Sequence, residues 1–191
     1  MTSKGERMLN VPNTLTLFRI LCVPVFLSLL AEGDYSLAVV VFLVAGITDG
    51  VDGMIARLTD TRTELGAHLD PAADKLLLVS SYITLAILGD IPVQLMILVI
   101  VRDTVILGGF LLSGAMVGSY MEMAPSIWGK TTTFLQILTV TMVLLARAQW
   151  LPLDGQILLT AFALTGVATI VSGVDYVARG IRWYQATAPP E

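Results

Sequence analysis

The chain has 191 residues, of which 55% are hydrophobic and 14% charged, well below the roughly 25% charged residues of soluble domains. With a mean hydropathy of +0.81 and long apolar runs, it is not an ordinary soluble globule but an all-α, polytopic membrane protein. The net charge of -4 argues against a nucleic-acid partner, and the lone Cys22 has no internal partner for a disulfide.

The N-terminus carries Lys4 and Arg7 ahead of an apolar run, as a cleaved signal would. Asn13, Thr16 and Arg19 dilute the start of that run, however, and no small-x-small site follows it. We therefore expect a short interfacial segment and then an uncleaved first span, from about Asn13 to Ala31. Glu32, Gly33 and Asp34 break it. The second span starts near Ser36 and continues through an acidic motif to about Leu58, and Thr59 to Glu64 form a polar loop. The third opens near Gly66 and ends around Gly89-Asp90. The fourth runs from about Pro92 to Gly118, the fifth from Trp128 to Ala146 and the sixth from Gly155 to Tyr184. Each approaches the roughly 20 residues that cross a bilayer. Six transmembrane helices in one bundle follow, since helices satisfy their backbone inside lipid and the alternation of a barrel is absent. Residues 1–191 read as a single domain.

An even number of spans puts both termini on one side. That side holds Lys4, Arg7, Arg57, Arg62, Arg179 and Arg182, while the opposite loops hold one basic residue, Arg147. The positive-inside rule places the termini and the Thr59–Glu64 loop in the cytoplasm, for a protein of the inner (cytoplasmic) membrane. Arg179 and Arg182 read as anchors on that side.

The chemistry is expected between Asp49 and Asp74. The stretch reads Asp49-x-x-Asp52-Gly53-x-x-Ala56-Arg57, then eight residues, then Gly66-x-x-x-Asp70-x-x-x-Asp74. Ionisable groups inside a membrane segment are expensive and usually functional. On a helix Asp49, Asp52 and Ala56 share one face, as do Gly66, Asp70 and Asp74. Asp52 lies roughly 9 Å from its helix end and Asp70 roughly 6 Å, so on antiparallel neighbours the two faces meet near the cytoplasmic surface. Four carboxylates so close repel strongly. They must be protonated, paired with Arg57 and Lys75, or neutralised by a divalent metal. Oxygen ligands favour magnesium, manganese or calcium over zinc. Gly53 and Ala56 leave room for a ligand, and Arg57 offers a phosphate donor. Three functions fit: phosphoryl-group chemistry on bound metal, a divalent-cation transporter, or a structural array of ion pairs. A transporter needs acidic groups on several helices or broken spans at the midplane, whereas these sit on two helices near one surface.

The stretch resembles, at every fixed position, the signature of the CDP-alcohol phosphatidyltransferase family, D-x2-D-G-x2-A-R-x8-G-x3-D-x3-D. The six-helix plan and Pro12-Asn13-x-Leu15-Thr16-x-x-Arg19 extend the resemblance over nearly the whole chain. It implies an integral-membrane homodimer that splits the diphosphate of CDP-diacylglycerol, releases CMP and uses two ions, Mg2+ or Mn2+. It assigns Asp49 and Asp70 to bridge the metals, with Asp52 and Asp74 completing one site each. Asp74 is also the implied base for the acceptor hydroxyl. Asp52, Gly53, Ala56, Arg57, Gly66 and Asp70 are implied to line the CDP site. An in-line displacement without covalent intermediate follows.

Within the family the chain most resembles the phosphatidylglycerophosphate synthases and the CMP-forming cardiolipin synthases. Arg102-Asp103 on the fourth helix resembles a basic-acidic pair of the former, and Gly129, Lys130, Thr133 and Gln136 fit their G-K-x-K-T-x-x-Q-like stretch. Thr132 in place of the second lysine, Asp103 in place of glutamate, and Pro125 lean toward the latter. Arg102 and Lys130 offer two cations to an acceptor phosphate, which both glycerol-3-phosphate and phosphatidylglycerol carry. The reading favours glycerol-3-phosphate. Asn13, Thr16 and Arg19 share a helical face and are expected to face substrate, while His68 beside the motif reads as a solvated or hydrogen-bonded loop residue.

Overall fold

A computed structural model describes residues 11–59, 64–117 and 126–187, with side chains described for 20–48, 75–109 and 126–187. Its helices are α1 (Val11–Glu32), α2 (Tyr35–Thr59), α3 (Glu64–Ile87), α4 (Val93–Val117), α5 (Ile127–Arg147) and α6 (Gly155–Thr187). The expected spans agree with these bounds to within about three residues, the ordinary scatter of helix ends. No strand occurs among the described residues. Two helices, over Ile127–Arg147 and Gly155–Ala186, are long and apolar enough to cross a bilayer. Shorter apolar stretches cover Ile20–Glu32, Tyr35–Thr48 and Lys75–Ile87. The expected interfacial segment lies mostly outside the described residues.

The chain divides into two compact units, Met1–Leu85 with Thr141–Pro152, and Ala86–Val140 with Leu153–Glu191. In the first, α1 packs on α2. Cys22, Val23, Phe26 and Leu30 recur on one face of α1 and are buried, as are Ala38, Val39, Phe42 and Ala45 on α2. The Phe26 and Phe42 rings meet at 5.7 Å between centroids, tilted by 39°, a favourable aromatic geometry. Outside this seam Leu21, Val25, Leu37, Val40 and Ile47 are exposed, so both helices are apolar on their outer faces as well as on the packed ones.

The α1–α2 turn is set locally. Gly33 has a φ of 77°, its N–H bonds to Leu30 O at 3.1 Å, and the Asp34 N–H bonds to Leu29 O at 2.9 Å. That is a Schellman closure, whose left-handed position suits glycine. Asp34 then caps α2, its Oδ1 accepting the Leu37 N–H at 3.0 Å. After α5 the same closure recurs with Trp150 N–H on Leu145 O at 3.1 Å, but here Gln149 takes the left-handed position at φ 59°. Nearby, the Arg147 guanidinium lies 5.6 Å from the Tyr35 ring centroid.

In the second unit α4 packs on α6, with Gly166 admitting Leu95 and Leu98 against the α6 backbone. Helix α5 joins α6 through hydroxyls. Thr132 donates to Ala168 O at 2.8 Å, Thr139 and Thr165 share a 2.7 Å bond, and Thr165 reaches Leu135 O at 3.3 Å. Helices in lipid gain nothing from hiding apolar surface from one another, so small residues and interhelical hydrogen bonds hold such seams. The 33-residue α6 is about 50 Å long, more than the roughly 30 Å of a bilayer's hydrocarbon core. Near its C-terminal end Arg179 pairs with Asp175 at 3.0 Å and Arg182 donates to Ala178 O at 3.2 Å.

Candidate active site

Backbone geometry puts Asp49, Asp52, Gly53, Ala56 and Arg57 on the C-terminal part of α2, and Gly66, Asp70 and Asp74 on the N-terminal part of α3. Both stretches are helical, so the spacings of the motif act as helical spacings. The side chains of these eight positions, and those of Asn13, Thr16 and Arg19 on α1, lie outside the described residues. Among the described residues there is no group of three or more His, Cys, Asp or Glu able to hold a metal.

The second expected cluster is described in full. Arg102, on α4, is buried with 6% of its side chain exposed, beside Asp103 at 11%. Its Nη1 donates to Asp103 Oδ1 at 2.7 Å. Its Nε and Nη2 donate to the fully buried Ser172 hydroxyl on α6, at 3.3 and 2.9 Å. The guanidinium also lies 5.7 Å from the centroid of the Tyr176 ring, one turn further along α6. An arginine has five N–H donors, and these bonds use three, leaving one on each terminal nitrogen.

The first turn of α5 completes the surroundings. Ser126 caps the helix by accepting the Gly129 N–H at 2.9 Å. A Cβ on Gly129 would stand 3.5 Å from Arg102 Nη2, from Ser126 Oγ and from Tyr176 Cε2. Glycine thus keeps a side chain off the guanidinium at the start of a helix, where the helix dipole favours anions. Lys130, the next residue, is exposed and makes no ion pair among the described residues. The structure therefore brings Arg102 to the α5 turn that carries Lys130. The two cations differ in kind, one buried and held on three sides, the other free to reach into solvent or headgroups. Thr133 bonds back to Gly129 O at 3.2 Å, and Gln136 is buried one turn below Thr132. Beside this cluster an open groove of about 430 Å³ runs between α4 and α6, with apolar walls that include Leu98, Val105 and Val174, and Arg102 as its charged residue.

Residues 9–172 match the family model described as CDP-alcohol phosphatidyltransferase. The chain belongs to that family. CDP-alcohol phosphatidyltransferases are membrane-bound enzymes that use CDP-diacylglycerol, an alcohol acceptor and a divalent metal. The chain is 39% identical over 186 residues to a "probable phosphatidylglycerophosphate synthase" of Mycobacterium tuberculosis, covering 92% of this chain and 84% of the relative. It is 32% identical over 194 residues to the CDP-diacylglycerol–glycerol-3-phosphate 3-phosphatidyltransferase of Bacillus subtilis, covering 90% and 95%. It is also 32% identical over 189 residues to a "probable cardiolipin synthase (CMP-forming)" of Drosophila melanogaster, covering 90% of this chain but 58% of that protein. Membership selects the phosphatidyl-transfer reading over the cation transporter.

Ser126, Ser172 and Tyr176, which surround Arg102 and the first turn of α5, were not singled out by the sequence reading. A signal was present, because Thr165, Thr169, Ser172 and Tyr176 recur at helical spacing along an otherwise apolar α6.

Proposed function

We propose that this phosphatidyltransferase transfers the phosphatidyl group of CDP-diacylglycerol to sn-glycerol-3-phosphate, giving phosphatidylglycerophosphate and CMP. The single observation that carries the acceptor is the near end-to-end match to the Mycobacterium tuberculosis and Bacillus subtilis relatives, both named for glycerophosphate chemistry. The buried, part-satisfied Arg102 beside the glycine-opened start of α5 supports it, since a small dianionic phosphate suits such a place. Phosphatidylglycerol as acceptor is the second reading, favoured by the Drosophila melanogaster relative and by the apolar groove that Arg102 lines.

The donor site is assigned to the acidic motif. Its fixed ligand positions are four carboxylates without cysteine or histidine, a hard-oxygen set that fits Mg2+ or Mn2+. Asp49 and Asp70 would be shared between two ions, with Asp52 and Asp74 each completing one. When bound, such ions neutralise the diphosphate and the charge that develops on departing CMP. Asp52, Gly53, Ala56, Arg57, Gly66 and Asp70 would receive the CDP moiety, the small residues by allowing close approach and Arg57 by pairing with phosphate. Asp74 takes the proton of the acceptor hydroxyl. The freed oxygen bonds to the phosphorus that carries diacylglycerol as the bond to CMP breaks. Arg102 and Lys130 hold the acceptor through its phosphate, and Asn13, Thr16 and Arg19 face substrate from α1.

The same reading makes residues 1–191 one catalytic domain of six spans, in a homodimer of the inner membrane with both termini and the site facing the cytoplasm. The family match through both compact units and the distribution of basic residues support it. The test is purified protein with CDP-diacylglycerol, offered glycerol-3-phosphate, phosphatidylglycerol, inositol phosphate or serine in turn. Glycerol-3-phosphate should give the product and CMP; product from phosphatidylglycerol alone would favour the second reading.

A further inference from the structure

We propose that Ser172 and Tyr176, on successive turns of α6, are positioning residues that set the Arg102 guanidinium for the acceptor's phosphate. The proposal rests on the reading that Arg102 meets that phosphate. Neither α6 residue needs to touch substrate.

A long, flexible arginine side chain loses about 2 kcal/mol of rotamer freedom when held. If substrate alone ordered it, that loss would weaken acceptor binding. Here the ordering is done beforehand. The Ser172 hydroxyl accepts from both Nε and Nη2, which fixes one edge of the planar fork. Asp103 holds Nη1, and the Tyr176 ring lies against the guanidinium at a separation that suits cation–π attraction. Gly173, between the two, packs against the arginine stem, since a Cβ there would lie 3.8 Å from Arg102 Cγ. Three successive features of one α6 face thus grip a single side chain of α4. The two donors left over, one on each terminal nitrogen, match the paired oxygens of a phosphate. Burial makes the arrangement specific, because Ser172 is fully buried and water cannot replace it without a cavity.

The experiment is steady-state kinetics on the full chain in mixed micelles, with KM measured separately for glycerol-3-phosphate and CDP-diacylglycerol. Ser172→Ala should raise the acceptor KM about tenfold and Tyr176→Leu about threefold, each with kcat within about twofold and an unchanged donor KM. Tyr176→Phe, which retains the ring face, should keep the parent acceptor KM. Arg102→Ala is run in parallel. If it leaves the acceptor KM unchanged, the reading of Arg102 itself fails. If it raises the acceptor KM while Ser172→Ala and Tyr176→Leu do not, the positioning role fails and the reading of Arg102 survives. Equal losses toward both substrates, with lowered thermal stability in Ser172→Ala and Tyr176→Leu, would show a purely structural role and overturn the proposal. Should Ser172→Ala not fold, the contrast of Tyr176→Leu with Tyr176→Phe decides it in the same way.

Discussion

Replacing Arg102 by methionine separates what this residue does for the fold from what it does for the acceptor. The variant keeps the apolar stem and removes the charge. The Asp103 carboxylate, 11% exposed and 2.7 Å from Nη1 in the parent, is then left in the protein interior without its guanidinium. Solvent screening is slight at that burial, so breaking the pair should cost about 3–5 kcal/mol. At roughly 2–4 °C per kcal/mol for a chain of this length, unfolding in detergent should fall by about 10 °C. Adding Asp103→Asn removes the remaining charge of the pair at nearly constant shape. The double variant should recover about 1–3 kcal/mol relative to the sum of the single ones, the coupling expected of contacting partners. Acceptor binding should not recover, because both variants lack the guanidinium. Thermal unfolding followed by intrinsic fluorescence gives the first quantity, and the glycerol-3-phosphate KM gives the second. Strict additivity of the two stability changes would refute the pairing as an energetic unit, and regained acceptor affinity in the double variant would refute the role given to Arg102.

Other outcomes follow from single features of the structure. Gln149→Gly relieves a left-handed position at φ 59° and should stabilise by about 1 kcal/mol, while Gly33→Ala, in open space but at φ 77°, should destabilise by about as much. Opposite signs in thermal unfolding are the check. Thr139→Val breaks the 2.7 Å bond to Thr165 yet leaves Thr165 its contact with Leu135 O, so the loss should be small, about 0.6 kcal/mol. A loss several times larger would mean that the α5–α6 seam depends on this pair. Asp49→Asn or Asp70→Asn should abolish CMP release, and a chelator should do so reversibly, with restoration by Mg2+ or Mn2+. Retained turnover in either variant would contradict the bridging role assigned to these aspartates.

Helix ends were legible in the sequence because their causes are local. Glu32-Gly33-Asp34 predicts a stop and a start, and the structure turns there with a left-handed glycine followed by an aspartate cap. The acidic motif was legible for another reason: aspartates repeated at helical spacing in an apolar chain have few structural uses. The family assignment drawn from it agrees with the match over residues 9–172. The end of α5, expected at Ala146, falls at Arg147; how the chain turns there was less legible, since glutamine at a left-handed position carries no composition signal, and the closure onto Leu145 is a finding of the structure.

By itself the sequence determined the helices, their apolar surfaces and the two polar stripes, Gly129-Thr132-Gln136-Thr139 on α5 and Thr165-Thr169-Ser172-Tyr176 on α6. Helical register repeats every three to four residues and needs only the chain's own backbone hydrogen bonds. Which stripe meets which, and where Arg102 ends its reach, was decided by tertiary packing alone. Its partner Ser172 stands 70 residues away, and nothing in the pair Arg102-Asp103 says that a hydroxyl and a tyrosine ring from α6 will close around it. A buried charge takes its partners from whichever helices pack against it, and in lipid that packing rests on small residues and hydroxyls such as Gly166, Gly173 and Thr165, whose individual preferences are too weak to announce their neighbours.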